Sequence, residues 1–138
     1  MENIKLLLPP FTMEIALEKV QIAEDIWNTK DLKKICLSFT PKTEWRYGTE
    51  FINGREEVKQ FLKHKWATEL DYKLKIELWG FRNNRMAVRI EYEWHNQNEE
   101  WYRSYGNELW EFDDNGLLQK RFVSFNDLRI NETDRILK

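Results

Sequence analysis

The second half of the sequence alternates apolar and polar residues with a period of two, and this constrains the fold more than any other feature. Four such runs follow one another between Asp71 and Asn126, namely "YKLKIELWGF", "RMAVRIEYEW", "RSYGNELWEF" and "LLQKRFVSFN". The polar connections between them are short, and "DDNG" places Gly116 where a turn favours positive φ. Alternating runs joined by short turns predict β-hairpins. The segment therefore predicts a long antiparallel meander of four strands.

The N-terminal half changes to the helical period. Apolar residues recur every three or four positions and predict helices near 13–28, 31–39 and 54–69, with Pro41 closing the second one. Between the second and third helices, "TEWRYGTEFING" predicts two short strands around a turn. Helices of this kind need a sheet face to cover. The predicted fold class is α+β, with three N-terminal helices packed in the concave face of a curved antiparallel sheet.

The short loops allow the strands to be paired from the sequence alone. A three-residue loop after Arg82 and a five-residue loop after His95 pair even-numbered residues with even-numbered ones. The odd face then sets Lys75 beside Glu91 and Lys73 beside Glu93, which are opposite charges and support the register. The even face is therefore the inner one, and it collects Tyr72, Leu74, Ile76, Leu78, Met86, Val88, Ile90, Tyr92, Trp94, Ser104, Glu108, Trp110, Phe112, Phe122, Ser124 and Asn126.

Glu108 is the one carboxylate on this predicted inner face. Burial among aromatic rings raises the pKa of a carboxyl group toward working pH, which suits a general acid or base. Gly106 has no side chain and is expected to leave room beside it. We therefore take Glu108 as the candidate catalytic residue. The candidate ligand-binding residues are Trp45, Trp66, Tyr92, Trp94, Trp110, Ser124 and Asn126.

A structural explanation of the same residues is equally open. Glu108 would then be a core carboxylate paired with Lys65 or Arg46 or bonded to the main chain, and Ser124 and Asn126 would bond main-chain groups near the end of the last strand.

Composition excludes several classes of function. The net charge is −2 with acids and bases interspersed, which argues against a nucleic-acid partner or an anionic membrane surface. The two histidines are far apart and no HExxH or CxxC motif occurs, so we expect no metal and no cofactor. One cysteine and a start, "MENIKLLLPP", too short for a secretion signal predict a cytoplasmic protein. We expect one domain over residues 1–138.

Several stretches together resemble a known superfamily. They are "AEDIWNTKD", "EWRYGTEFINGREEV", "FLKHKWATELDYKL" and "WYRSYGNELWEFDDNGLL", with "RSYGNELWEFD" the most specific run. This pattern resembles an uncharacterised, mostly bacterial family within the nuclear transport factor 2-like, SnoaL-like superfamily, whose domains have a cone-shaped fold. The resemblance implies a pocket in the mouth of the cone and frequent dimerisation.

The resemblance leaves the reaction open, because the superfamily holds cyclases, isomerases, an epoxide hydrolase, dehydratases and binding proteins. Two hypotheses follow. The first is a cofactor-free enzyme that performs acid–base chemistry on a small apolar molecule, with Glu108 as acid or base. The second is a non-catalytic ligand-binding or structural dimerisation domain.

The outer face of the predicted sheet carries large aromatic residues among its charge pairs. Because no helix of this chain is expected to cover that face, the exposed patch predicts a homodimer. The residues expected at the interface are Trp79, Trp101, Arg103 and Tyr105.

Overall fold

The computed structural model describes residues 7–138; the first six residues of the segment assessed for a secretion signal lie outside this range. The elements are α1 (Met13–Thr29), α2 (Leu32–Cys36), β1 (Phe39–Tyr47), β2 (Glu50–Asn53), α3 (Arg55–Thr68), β3 (Leu70–Arg82), β4 (Arg85–His95), β5 (Trp101–Phe112), β6 (Leu118–Ile130) and a 3₁₀ turn (Glu132–Asp134). The α+β class, with three helices and one curved six-stranded sheet, is confirmed.

The strand order in the sheet is β2-β1-β6-β5-β4-β3. The three predicted hairpins join β3 to β6 in series, and all of them are antiparallel. The prediction of a wholly antiparallel sheet is wrong, because β1 runs parallel to β6. The meander places β6 next to β1, so the first strand completes the sheet from the side opposite to β3.

The second helix is shorter than the sequence predicted. It ends at Cys36, and β1 begins at Phe39 and contains Pro41. Proline lacks the N–H of a regular ladder, and it is tolerated in a strand where the pairing is irregular. The β1–β6 pairing is irregular in this place, since its register shifts between Phe39 and Glu44.

The register predicted for β3, β4 and β5 is confirmed. Lys75 pairs with Glu91 and Lys73 with Glu93, and Glu108 lies on the same face as Tyr92. The five-residue loop after His95 is as predicted, whereas the turn after Arg82 has two residues. A bulge between Leu78 and Gly80 supplies the missing residue and restores the pairing of even with even positions.

The register predicted for β6 is wrong by one residue. The β5–β6 pairing has a bulge at Glu111 and Phe112, which shifts the register of the strands. As a result, Glu108 lies opposite Val123 and Trp110 lies opposite Arg121. Because successive side chains alternate between faces, a slip of one residue inverts the whole strand. Ser124 and Asn126, predicted to point inward, are therefore exposed and not on the inner face.

Helix α1 is held against the edge strand β3 by side chains that bond its backbone. The Asn28 side chain donates to the Leu74 carbonyl (2.9 Å) and accepts from the Leu74 amide (2.7 Å), as a neighbouring strand would. Glu24 accepts from the amide of Ile76 at 2.8 Å. These bonds hold α1 against β3 on either side of Trp27, whose side chain is part of the core.

The C-terminal segment folds back over one end of the outer sheet face. Glu93 is fully buried there and accepts hydrogen bonds from Arg103 and from the main-chain amides of Ile136 and Leu137. The Arg135 guanidinium lies 4.0 Å from the centre of the Trp101 ring. Trp101 and Arg103, predicted to lie at an open interface, are therefore covered by the chain itself. The prediction considered only helices as a cover for the outer face, whereas an extended segment covers this end.

His95 lies beside this segment and contacts two acceptor oxygens. Its Nε2 is 2.7 Å from Asp71 Oδ2, and its Nδ1 is 2.7 Å from the Asn96 carbonyl. Both ring nitrogens have an N–H to donate only in the protonated imidazole. Burial lowers the pKa of His95, but the Asn96 carbonyl and the Asp71 carboxylate outweigh it, so the pKa of His95 is raised.

We predict a pH-dependent contribution of this pair to stability. A His95 pKa that is higher in the folded than in the unfolded protein stabilises the fold. This stabilisation is complete below the ordinary imidazole pKa of about 6.5, and it is lost as the pH rises through the folded-state pKa. Urea unfolding at pH 5.5 and pH 8.5 should therefore show a larger loss for His95→Gln at the lower pH. Equal losses at both values would contradict the prediction, and His64→Gln on the exposed side of α3 serves as the control.

Candidate functional site

A cavity of about 270 Å³ lies between helix α1 and the inner face of the sheet. Ile22, Ala23 and Ile26 of α1 form one wall. The opposite wall is formed by inward residues of the strands, including Leu74, Ile76, Ile90, Tyr92, Glu108, Trp110 and Arg121. Most of this lining is apolar. Two groups of polar side chains form separate centres, and Lys19, Ser38 and Asn115 line the cavity apart from them.

The first polar centre is a buried ion pair between Glu108 and Arg121. Arg121 Nε donates to Glu108 Oε1 at 2.7 Å and Nη2 donates to Oε2 at 3.0 Å, which is a two-point geometry. The Trp110 indole N–H also donates to Glu108 Oε1 at 2.9 Å. Glu108 is 4% exposed and Arg121 is 6% exposed. The carboxylate therefore accepts three hydrogen bonds out of reach of water.

The guanidinium of Arg121 contacts two indole rings. It lies 4.8 Å from the centre of the Trp27 ring and 4.4 Å from that of Trp45. Contacts of a cation with ring faces are strongest when both are shielded from water. Its Nη1 has no hydrogen-bond partner among the described residues. Arg121 thus joins β6 to α1 and β1 as well as to β5.

No sequence pattern marks Arg121 as an inner residue, because the bulge that turns it inward has no distinctive residue type. The predicted structural alternative for Glu108 was right in kind, since the carboxylate is paired, but wrong in partner. Lys65 pairs with Glu69, and Arg46 bonds the carbonyls of Gly48 and Val123.

The second polar centre consists of Lys65 and tyrosine residues. Lys65 is 4% exposed, although it is a lysine, and its Nζ donates to both oxygens of Glu69 (2.9 and 3.1 Å) and to the Tyr47 hydroxyl (3.4 Å). The hydroxyls of Tyr47 and Tyr92 are 3.0 Å apart. Tyr72 stands beside Tyr92, with 5.2 Å between the ring centres. Lys65 and all three tyrosines line the cavity.

The predicted site residues divide into two groups. Glu108, Tyr92 and Trp110 line the cavity. The others lie outside its lining, and they are Trp45, Trp66, Trp94, Ser124 and Asn126. Trp45 and Trp66 pack behind the wall against Trp27.

Trp94 and Ser124 are occupied elsewhere. The Trp94 indole donates to Ser104, and Ser124 on the outer face accepts from Arg46. Gly106 leaves no open space, because a Cβ there would lie 2.8 Å from Cγ1 of Ile90. The glycine therefore permits close packing of β5 on β4 and does not enlarge the cavity.

The geometry favours hydrogen-bond donation over metal binding. Within residues 7–138, no group of three or more His, Cys, Asp or Glu side chains is placed to hold a metal ion. In the same range, no helix is long and apolar enough to cross a membrane. Glu108 is bound on both oxygens, whereas the tyrosine hydroxyls retain protons to donate. The cavity thus combines apolar walls with hydroxyl donors at one end.

The sequence matches the model of one known family. Residues 9–138 match the model of a family described as a protein of unknown function, DUF1348. The chain belongs to this family. No curated protein matches the sequence.

Solved structures of similar shape are nuclear transport factor 2-like (NTF2-like) and SnoaL-like proteins. An NTF2-like protein of unknown function from Burkholderia pseudomallei is 17% identical, with a TM-score of 0.71 over 80% of this chain and 89% of that one. A putative polyketide cyclase from a Silicibacter species is 12% identical, with a TM-score of 0.71 over 80% and 88%. At these identities the likeness shows the fold, and the NTF2-like architecture is confirmed.

One similar structure contains a ligand. It is a protein from Mycobacterium tuberculosis in complex with estradiol-17β-hemisuccinate, and it is 15% identical with a TM-score of 0.69 over 80% of this chain and 93% of that one. This chain therefore shares its fold with proteins of several descriptions.

We predict that Glu108 contributes more to stability than an ordinary core polar residue. Glu108→Gln leaves the Arg121 cation buried without its counter-charge, and we expect a loss of about 3–5 kcal/mol in the free energy of unfolding. Urea unfolding at neutral pH measures this loss. A loss under about 1 kcal/mol would contradict the structural role of the pair.

The control replaces both charges at once. Glu108→Leu combined with Arg121→Met leaves no unpaired charge, so the double variant should be more stable than Glu108→Leu alone.

Proposed function

We propose that this DUF1348 protein binds a small, predominantly apolar organic molecule in the cavity between α1 and the sheet. The observation that carries the proposal is the 270 Å³ cavity itself, with its apolar walls and few polar side chains. Concave sites with this make-up are typical of small-molecule binding. In this proposal the helices close the concave face of the cone, and Tyr92 and Trp110 contact the ligand as the sequence suggested.

Proteins of the same fold support the proposal. The Mycobacterium tuberculosis protein of similar fold is in complex with estradiol-17β-hemisuccinate, whose steroid body is apolar. A computationally designed 17-OHP binder has a TM-score of 0.71 to this chain at 14% identity. The cone fold can therefore hold such molecules, and the lining of this chain has the matching chemistry.

Binding is better supported than acid–base catalysis at Glu108. A general base needs a lone pair that can reach the substrate. Arg121 and Trp110 donate three hydrogen bonds to Glu108, two to Oε1 and one to Oε2. Catalysis by Glu108 as acid or base stays a prediction, and only Oε2 keeps a lone pair for it. We therefore assign Glu108 the role of holding Arg121 and Trp110 in the cavity wall.

We predict that filling the cavity abolishes ligand binding without unfolding the protein. Ala23→Phe places a ring into the cavity from α1, and the affinity for the polarity-sensitive dye 1-aminonaphthalene should fall by roughly tenfold or more, equivalent to about 1.4 kcal/mol. Dye fluorescence titration measures the affinity, and circular dichroism verifies the fold.

The matched control is Leu17→Phe, a similar enlargement on the exposed side of the same helix. If both variants bind the dye as the wild type does, or if the wild type does not bind it, the proposed site is wrong.

We also propose a homodimer formed through the uncovered part of the outer sheet face. Trp79 is 69% exposed there, and Tyr105, Leu109 and Leu128 are exposed with it. A patch of large apolar side chains on a sheet face is unusual for a monomer and suits a two-fold contact. Trp101 and Arg103 fall outside this interface, because the C-terminal segment covers them. The cytoplasmic location stays a prediction from the sequence.

We predict that Tyr105→Asp weakens this dimer. The substitution places a charge in the centre of the proposed contact, and the dissociation constant should rise by at least about tenfold. Light scattering with size-exclusion chromatography at micromolar concentration measures the mass. Phe51→Asp, an exposed aromatic on the edge strand β2, is the control and should leave the mass unchanged. A wild type with the mass of one chain would exclude the dimer.

A further inference from the structure

The tyrosine end of the cavity holds more hydrogen-bond donors than the protein uses. Tyr47, Tyr72 and Tyr92 supply three hydroxyl protons, and the only bond among these hydroxyls in the described part of the chain joins Tyr47 to Tyr92. Whichever of these two donates, one proton of the pair is left over. The Tyr72 hydroxyl has no partner among residues 7–138. Two hydroxyl protons therefore have no acceptor among residues 7–138.

These two protons are placed where a ligand would reach them. Tyr72 is 5% exposed and Tyr92 is 3% exposed, and both side chains line the cavity. Lys65 donates to the Tyr47 hydroxyl, which favours donation from Tyr47 to Tyr92 and leaves the Tyr92 proton free. A buried donor without an acceptor is unfavourable, so an acceptor in the cavity gains from meeting both groups.

The charges around the tyrosines decide which kind of acceptor fits. The positive charge of Lys65 is matched by Glu69, and that of Arg121 is matched by Glu108. The third cation of the lining, Lys19, lies over the rings of Phe11 and Phe112 and donates to the Gly116 carbonyl. Burial raises the pKa of Tyr72 well above its ordinary range, and the charges of Glu69 and Glu108 raise it further. Burial likewise raises the pKa of Tyr92. Surroundings that resist a negative charge on a tyrosine also resist one on a ligand.

We propose that the cavity selects an uncharged ligand with a carbonyl oxygen, such as a cyclic ketone, lactone or aldehyde, which accepts hydrogen bonds from Tyr72 and Tyr92. The apolar body of the ligand lies along Leu74, Ile76 and Ile90. This inference rests on the proposed binding function and specifies the ligand class. A cavity of about 150 Å³ holds benzene, so 270 Å³ suits a bicyclic molecule.

The test uses three bicyclic probes, of which the first two differ only at the carbonyl carbon. They are 1-tetralone, a neutral ketone; tetralin, the hydrocarbon of the same shape; and 1-naphthoate, an anion. Their affinities are measured by displacement of 1-aminonaphthalene from the wild type and from Tyr72→Phe, Tyr92→Phe and the double variant. Tyr102→Phe is the control, because Tyr102 stacks on Trp94 outside the cavity lining.

The decisive quantity is the ratio of the tetralone affinity to the tetralin affinity. Its change between variants cancels the different solubilities of the two probes in water. We expect the ratio to fall about threefold in each single variant and about tenfold in the double variant, as for the loss of ordinary hydrogen bonds. Tyr102→Phe should leave the ratio unchanged. We expect 1-naphthoate to bind the wild type least tightly of the three.

The outcomes separate this inference from the binding function itself. If tetralin and the dye bind but the ratio does not change in the double variant, the tyrosines do not recognise a carbonyl group and the inference fails alone. Tighter binding of 1-naphthoate than of 1-tetralone would overturn the choice of an uncharged ligand. If neither the dye nor any probe binds the wild type, the binding function fails and this inference fails with it.

Discussion

The ion pair between Glu108 and Arg121 is the interaction on which the rest of the inner face depends. A carboxylate that is 4% exposed is unstable unless a cation or several donors compensate it. Arg121 supplies the cation, Trp110 supplies a further N–H, and the guanidinium contacts the rings of Trp27 and Trp45. One pair therefore connects β5, β6, β1 and α1. The walls of the cavity are built around it.

The same compensation governs the other end of the cavity. Lys65 is buried among aromatic rings and is balanced by Glu69, and the hydroxyls of Tyr72 and Tyr92 beside it keep protons without an acceptor among the described residues. In each ion pair, the positive and the negative charge compensate each other within the protein. The cavity thus offers hydrogen-bond donors and apolar contacts to a ligand, and the protein's own ion pairs do not favour a charged one. This arrangement favours ligand binding over acid–base catalysis by Glu108.

Membership in DUF1348 and the NTF2-like fold do not select a function by themselves. The similar structures named above share 12–17% identity with this chain, and their descriptions differ. What they have in common with it is the fold, which many sets of side chains can satisfy. The ligand class must come from the residues that line this particular cavity, and the Tyr72–Tyr92 pair is the most informative of them.

The sequence by itself determined the order of the elements and the register of β3, β4 and β5. Periodicity of two or 3.6 residues and short polar turns are local properties, so they can be read without the tertiary structure. They placed Glu108 inward beside Tyr92 and Trp110, where it lies. They also fixed the charge pairs of the outer face, such as Lys75 with Glu91.

Only the tertiary structure decided which residues of β6 face inward, which cation pairs with Glu108 and which segment covers part of the outer sheet face. A single bulged residue before Arg121 exchanged the inner and outer sets of that strand, and no residue type marks such a bulge in advance. The parallel pairing of β1 and the return of the C-terminal segment over Trp101 are contacts between distant parts of the chain. Such contacts depend on the packing of the whole molecule, and local patterns do not encode them.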